Sequence, residues 1–363
     1  MNQPLTVENI ETVVYRLPLF SPLRWGKHSV LTEVKHVLVR VTLSDGSVGV
    51  AEAPPRPTIY GETAASITSI IANEVNIRVL GQAPDIALGM LYQVKNNHTA
   101  LGAVDMAIHH ALAQSQGKGL ADYLGCTAER LRVSYILGIG PHDAVLAEAE
   151  RVFNLGVRVL KVKVGRNWDE DIERIKLLRQ SYGDQLDLYA DANECFTADD
   201  AARKLDQLST LGVLYCEEPL PVEQIKNRAS LRRGEHLPII GDDSTFTIRD
   251  LRRELSFDTF DILNIKTART GYSQSRGMWQ MARNGGKGVM IGSQASTLLG
   301  TARAGLFAAL PDIDHPSELS FYLNVKDEIA GPKPVLQDGY LATADLDRVT
   351  IDDDLLRDAA VLA

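Results

Sequence analysis

Five short apolar segments between residues 158 and 266 each end in a charged side chain, and the interval between those charges barely changes. Lys163, Asp191, Glu217, Asp242 and Lys266 are separated by 28, 26, 25 and 24 residues, close to the length of one strand plus a returning helix. The segments (RVLKVKVG, LDLYADAN, VLYCEEP, LPIIGDDS and FDILNIK) are near-continuous apolar runs, as parallel strands covered on both faces must be. VSYILGI precedes them, KGVMIGSQ follows, and HPSELS supplies an eighth candidate strand. The intervening stretches read as amphipathic helices. Trp168, Ile172, Ile175 and Leu178 share one face, and Thr197 with Asp200 forms an S/T-x-x-D/E start signal ahead of Ala201, Leu205 and Leu208. If the sheet closes into a barrel, the charged strand ends converge on one mouth; an open doubly wound sheet would spread them along an edge. A (β/α)7β TIM-like barrel over residues 129–322 is therefore expected.

At 363 residues the chain exceeds the about 250 residues of a simple barrel. The excess lies mostly at the front. HVLVRVTLSDGSVGVAEAPP reads as a hairpin turning at Asp45-Gly46, followed by helical stretches from Glu62 to Leu80 and from Ala100 to Leu124. Strands followed by helices without alternation indicate an α+β module over residues 1–128. Residues 323–363 form a C-terminal segment.

The net charge of −9 argues against nucleic acid or an anionic membrane as partner. Cys126, Cys195 and Cys216 are odd in number and lack zinc-site spacing, which suits a reducing compartment. The N-terminus lacks a signal-peptide pattern, and no run reaches 18 apolar residues. A cytoplasmic protein acting on a small molecule is the expectation.

Asp191, Glu217 and Asp242 place three hard oxygen donors on three adjacent strand ends, a set that suits Mg²⁺ or Mn²⁺. The competing reading, that such acids cap the following helices, holds for any one of them better than for three in register. Lys161 and Lys163 lie two apart on one strand and point to the same side, while Lys266 ends a strand across the ring. A lysine within an apolar strand is costly unless paired or functional, and near a dication its pKa is expected to fall. Salt bridges to the same acids are the alternative, most plausible for Lys161, which can also bind a substrate carboxylate. Two bases flanking a metal suit proton transfer next to a carboxylate, where the difficulty is the enediolate's charge.

Taken together, KVKVG, DAN, EEP, DDS and NIK in this order resemble the muconate-lactonizing-enzyme subgroup of the enolase superfamily, over nearly the whole chain. The resemblance implies that the first 128 residues are a capping domain and that the C-terminal segment returns to it. It implies acid/base roles for Lys163 and Lys266, an auxiliary role for Lys161, and Asp191, Glu217 and Asp242 as metal ligands. Asp242-Asp243-Ser244 departs from the D-E-S common in the family, which puts the contact of the shorter Asp243 in doubt.

The seventh strand ends IGSQAST without the histidine of mandelate racemase and the acid-sugar dehydratases. Dipeptide epimerases carry D-x-D on the eighth strand for the peptide ammonium; Glu318-Leu319-Ser320 is here instead, similar to muconate cycloisomerases, and Glu318 joins the catalytic candidates. Asp312 and Asp314 spell D-x-D but precede the strand. PLRWGKHS and PPRPTIYGET resemble the family's two substrate-facing loops, with Arg24, Lys27, Arg56 and Tyr60 as candidates to meet a second carboxylate, simple solvent exposure being the alternative for each. Asn193 of the DAN motif joins the substrate-binding candidates. KTARTG after Lys266 also looks cycloisomerase-like. The expectation is a Mg²⁺- or Mn²⁺-dependent cycloisomerase of a muconate-like dicarboxylate, forming a homo-oligomer. The alternatives are a dipeptide or N-acylamino-acid epimerase or racemase, and a catalytically silent ligand-binding relative.

Overall fold

The computed structural model describes residues 4–25, 29–234 and 236–362. The chain opens on a three-stranded antiparallel sheet, Val7–Trp25, Ser29–Leu43 and Val48–Ala53, in that spatial order. The expected hairpin is present. Gly46 takes the left-handed turn position at φ +86°, and the Asp45 carboxylate accepts the Ser47 N–H at 2.9 Å. Helix His98–Ser115 lies between this sheet and the barrel, with every residue from Thr99 to Ile108 buried. Its approach to the sheet is close enough to require glycine: a Cβ on Gly49 would stand 1.9 Å from the Ala107 carbonyl oxygen.

Seven parallel strands follow: Tyr135–Leu137, Val159–Lys163, Asp187–Asp191, Val213–Glu217, Ile239–Gly241, Ile262–Ile265 and Gly288–Ile291, each hydrogen-bonded to the next. The eighth position is taken by the short stretch around Ser317. The Ser317 N–H donates to Arg132 O (2.9 Å), Ser134 N–H donates to Ser317 O (2.8 Å), and Glu318 N–H donates to Ile291 O (2.8 Å). That stretch bonds to both the first and seventh strands, so the sheet closes. Interior residues alternate along each strand as the pleat requires: Val159, Lys161 and Lys163; Tyr189 and Asp191; Tyr215 and Glu217; Ile240 and Asp242; Ile262, Asn264 and Lys266. Val159, Tyr189, Tyr215, Ile240, Ile262 and Met290 pack together inside the ring and floor it with apolar surface. The charged residues stand above them.

The helix signals are largely realised, with one shift. Ile172, Ile175 and Leu178 are buried on helix Trp168–Tyr182, but the next helix begins at Ala201 rather than at Thr197. Asp200 accepts the Thr197 N–H at 2.9 Å, so the start signal closes the turn ahead of the helix. The C-terminal segment lies along the first sheet: Leu19 bridges Val325, Tyr15 bridges Ala360, and Val361 N–H donates to Val14 O at 2.8 Å. These contacts cover an edge strand that would otherwise be open to pairing. Among the described residues, no helix is long and apolar enough to cross a membrane.

Candidate active site

The charged strand ends meet at one mouth, below the cap. Lys161, only 2% exposed, is the hub. Its Nζ lies 2.6 Å from Glu318 Oε1, 2.7 Å from Glu217 Oε1 and 2.9 Å from Asp191 Oδ2. Burial alone would lower the Lys161 pKa, but the surrounding carboxylates outweigh it and hold it well above the ordinary lysine value. Lys163, one pleat further up, donates to Asp191 Oδ2 at 2.5 Å and to Asn193 Oδ1 at 3.0 Å. Lys266 donates to Asp242 Oδ2. The second and sixth strands are four places apart in an eight-place ring, so Lys163 and Lys266 approach from opposite sides. Both line a cavity of about 220 Å³.

The carboxylates set the electrostatics of the mouth. Burial would lower the Lys266 pKa, yet Asp242 and Asp243 overcome it and the net shift is upward. Asp191 is likewise raised by burial but carried well below the usual carboxylate range by Lys161 and Lys163. Glu217 goes the other way: burial raises it, Lys161 opposes, and Asp191, Glu318 and Asp242 add repulsion. In this arrangement the Lys161 and Lys266 ammonium groups are counter-ions of the carboxylates, which favours their charged form.

Several contributors were not singled out from the sequence. Asn264 donates to Glu217 Oε2 at 3.2 Å; strand alternation from Lys266 points it inward, so that signal was available. Arg269, one turn after Lys266, donates to Asp242 O at 3.0 Å and pairs with Asp242 Oδ1 at 3.2 Å. Glu218 accepts the Asp242 and Ser244 N–H groups at 2.7 and 2.9 Å. Asn193, Glu194 and Glu218 all have left-handed backbones, φ +40°, +63° and +39°, a conformation that costs non-glycine residues energy and collects at functional sites. Asp243 lines the cavity and stands 3.6 Å from Arg269.

The cap candidates separate. Arg56 lines the cavity, but its guanidinium is turned to backbone, donating to the Pro55, Gln294 and Ala295 carbonyls and facing His36 Nε2 at 3.2 Å. Arg24 is exposed and is not among the cavity-lining residues. Tyr60 packs on His98 and Phe246 beside the mouth, its hydroxyl buried without a hydrogen-bond partner among the described residues. Lys27 lies outside the described residues. Leu23, Trp25, Ile59 and Ile136 form the apolar wall. Asp312 and Asp314 are exposed and away from the cavity, Asp312 paired with Arg283.

Among the described residues, no three carboxylate, imidazole or thiolate groups already stand together as an ion-binding cluster, because lysine ammonium groups lie between the acids. The chemistry of the acids nevertheless fits a divalent cation. Asp191, Glu217 and Asp242 are buried carboxylates on neighbouring strand ends; Asp242 Oδ1 faces Arg269 but accepts no hydrogen bond among the described residues; and Glu217 is raised by burial and then by neighbouring anions that a cation would neutralise.

A capped, closed barrel with acids and lysines gathered at the C-terminal ends of its strands has the architecture of a barrel enzyme. The chain belongs to the enolase superfamily: residues 9–125 match the mandelate racemase / muconate lactonizing enzyme N-terminal domain and residues 144–347 the enolase C-terminal domain-like family. It is an isomerase-type member. An L-Ala-D/L-Glu epimerase of Bacillus subtilis (strain 168) is 30% identical over 84% of this chain and 85% of its own. The muconate lactonizing enzyme of Mucobacterium smegmatis, solved with muconolactone, superposes with a TM-score of 0.93 at 32% identity, over 98% of this chain and 100% of its own. The substrate-liganded Bacillus subtilis L-Ala-D/L-Glu epimerase gives 0.88 at 26% identity, over 93% and 96%. Members of this superfamily typically use a divalent metal.

Proposed function

We propose that the protein is an epimerase or racemase that inverts the carbon next to a carboxylate in an N-acylated amino acid. The observation that carries this reading is the pair of lysines on opposite sides of one cavity. Inversion needs a base on each face of the reacting carbon, and Lys163 and Lys266 provide one each. The first lysine, as the neutral amine that a cation on the neighbouring acids would favour, draws the α-proton; charge grows on the substrate carboxylate, and the second lysine, as the ammonium, returns a proton from the other face. Lys161, kept cationic by its acids, faces that growing charge. Asp191, Glu217 and Asp242 would hold Mg²⁺ or Mn²⁺, which when bound supplies Lewis-acid stabilisation of the carboxylate oxygens.

The curated epimerase relatives support this reading over the muconate cycloisomerase expected from the sequence. The eighth strand narrows the substrate. Glu318 has both oxygens engaged, by Lys161 and by the Ser293 N–H at 2.7 Å, and the Ser320 hydroxyl is turned away to Ser134 O at 2.7 Å. A free ammonium would find no unengaged carboxylate there, which favours simple N-acylamino acids over dipeptides. The same observation, with the muconolactone-bound relative, supports a second reading: a cycloisomerase of a dicarboxylate, which needs only one of the lysines.

The test is a panel of N-acetyl and N-succinyl amino acids, Ala-Xaa dipeptides and cis,cis-muconate in D₂O with Mg²⁺ or Mn²⁺, followed by NMR. Inversion with α-deuteration of an N-acyl substrate at about 10⁴ M⁻¹s⁻¹ is expected. Lactone formation from muconate with no exchange of any amino-acid derivative would replace the first reading with the second.

A further inference from the structure

We infer that Asp105, a cap-domain residue, is a positioning residue that sets the reach of Lys266; the inference rests on the two-lysine reading above. The chain after Lys266 is not a continuous helix. Thr267–Thr270 makes one turn, Gly271 breaks it at φ +59° and ψ −174°, and the helix resumes at Tyr272. A helix that restarts exposes fresh N–H groups in need of acceptors.

Those acceptors come from the cap. Asp105 is fully buried on helix His98–Ser115. Its Oδ1 accepts the Tyr272 and Ser273 N–H groups at 2.6 and 3.1 Å. Its Oδ2 accepts the Tyr92 hydroxyl at 2.9 Å, and that hydroxyl also reaches Thr270 O at 3.1 Å. A Cβ on Gly271 would stand 2.5 Å from the Asp105 carboxylate, and one on Gly102 2.5 Å from Ala268 O. Two cap residues therefore press directly on the turn.

The other side of the same turn carries the chemistry. Thr270 Oγ1 donates back to Lys266 O at 3.0 Å, while Arg269 and Lys266 both grip Asp242. A displacement of the turn moves Lys266 and Arg269 together. Lys163 has no such dependence, because it ends a strand laddered to Asp187–Asp191 within the barrel. Asp105 thus acts on one face of the substrate and not on the other.

That asymmetry provides the test. Alpha-deuteration is measured separately for L-Ala-L-Glu and L-Ala-D-Glu, and for N-acetyl-L- and N-acetyl-D-alanine, in wild type, Asp105→Ala, Asp105→Asn and Lys266→Ala. Lys266→Ala identifies the epimer whose proton Lys266 removes. Asp105→Ala is expected to slow exchange of that epimer by about 10- to 100-fold, the scale of an ångström-sized misplacement, with the other epimer within about twofold. Asp105→Asn, which retains a carbonyl acceptor without the charge, falls between, and decides the matter alone if the Ala variant does not fold. In parallel, amide exchange by mass spectrometry should lose protection over residues 267–275 and keep it over 159–164. Equal slowing of both epimers, or unchanged protection at 267–275, overturns the inference. If Lys266→Ala spares both epimers, the two-lysine reading fails instead, and the amide-exchange arm still decides whether Asp105 holds the turn.

Discussion

Lys161 Nζ and Glu318 Oε1 stand 2.6 Å apart inside the barrel, so a buried ion pair joins the second strand to the segment that closes the ring. The same ammonium also meets Asp191 and Glu217. Removing it leaves three buried carboxylates without their common counter-ion. Lys161→Met should destabilise the protein by about 3–5 kcal/mol, read from urea unfolding in metal-free buffer. Adding Mn²⁺ should restore part of the loss, since a cation bound only by the folded state stabilises it. Unchanged stability in Lys161→Met would show the hub to be energetically idle.

Asp191→Asn and Glu217→Gln should each lower turnover on the order of 10³-fold while the circular dichroism spectrum stays that of wild type, because Lewis-acid stabilisation of the carboxylate is worth several kcal/mol. Enzyme stripped with EDTA should behave likewise and recover with Mg²⁺ or Mn²⁺. Full activity after stripping would remove the metal from the mechanism.

Lys163→Ala and Lys266→Ala should each abolish α-deuteration of one substrate epimer and spare the other, a selective loss of about 10²- to 10⁴-fold. If both variants exchange both epimers at wild-type rates, the lysines serve only as counter-ions.

His110 offers a stability test remote from the site. Its Nδ1 accepts the Val50 N–H at 3.0 Å and faces Arg303, so burial first and Arg303 second push its pKa down to about 3. The folded protein therefore holds this imidazole neutral, while the unfolded chain takes up a proton near pH 6.5. Its contribution is complete above about pH 6.5 and is lost progressively as pH falls toward 3. Thermal unfolding of wild type should decline more steeply between pH 6.5 and 4 than that of His110→Asn. Parallel pH profiles would contradict the assignment.

The barrel was legible because its cause is local and repeated. Apolar strand runs, amphipathic helices and a charge at the end of each strand recur along the chain at one spacing, and each unit can be read without its neighbours. The charged residues at the mouth could be named for the same reason: the pleat sends Lys161 and Lys163 to one side, and equal strand positions must meet in a closed sheet. Asn264 was within reach of that logic and Arg269 nearly so.

What tertiary structure alone decided concerns contacts between segments far apart in sequence. Lys27 is outside the described residues; of the other cap candidates, Arg56 reaches the cavity wall, Arg24 stays exposed and Tyr60 stands beside the mouth. The course of the long first strand and of the segment after the third strand sorts them, and no local pattern encodes it. The direction of the lysine shifts depended on which carboxylates lie within a few ångströms of each ammonium, a three-dimensional sum. The sequence by itself determined a barrel with acids and lysines at its mouth. Folding decided that Glu318 would be occupied, that Ser320 would turn away, and that Asp105 from the cap would hold the turn behind Lys266. Such pairings join residues up to 186 positions apart, and only packing brings them together.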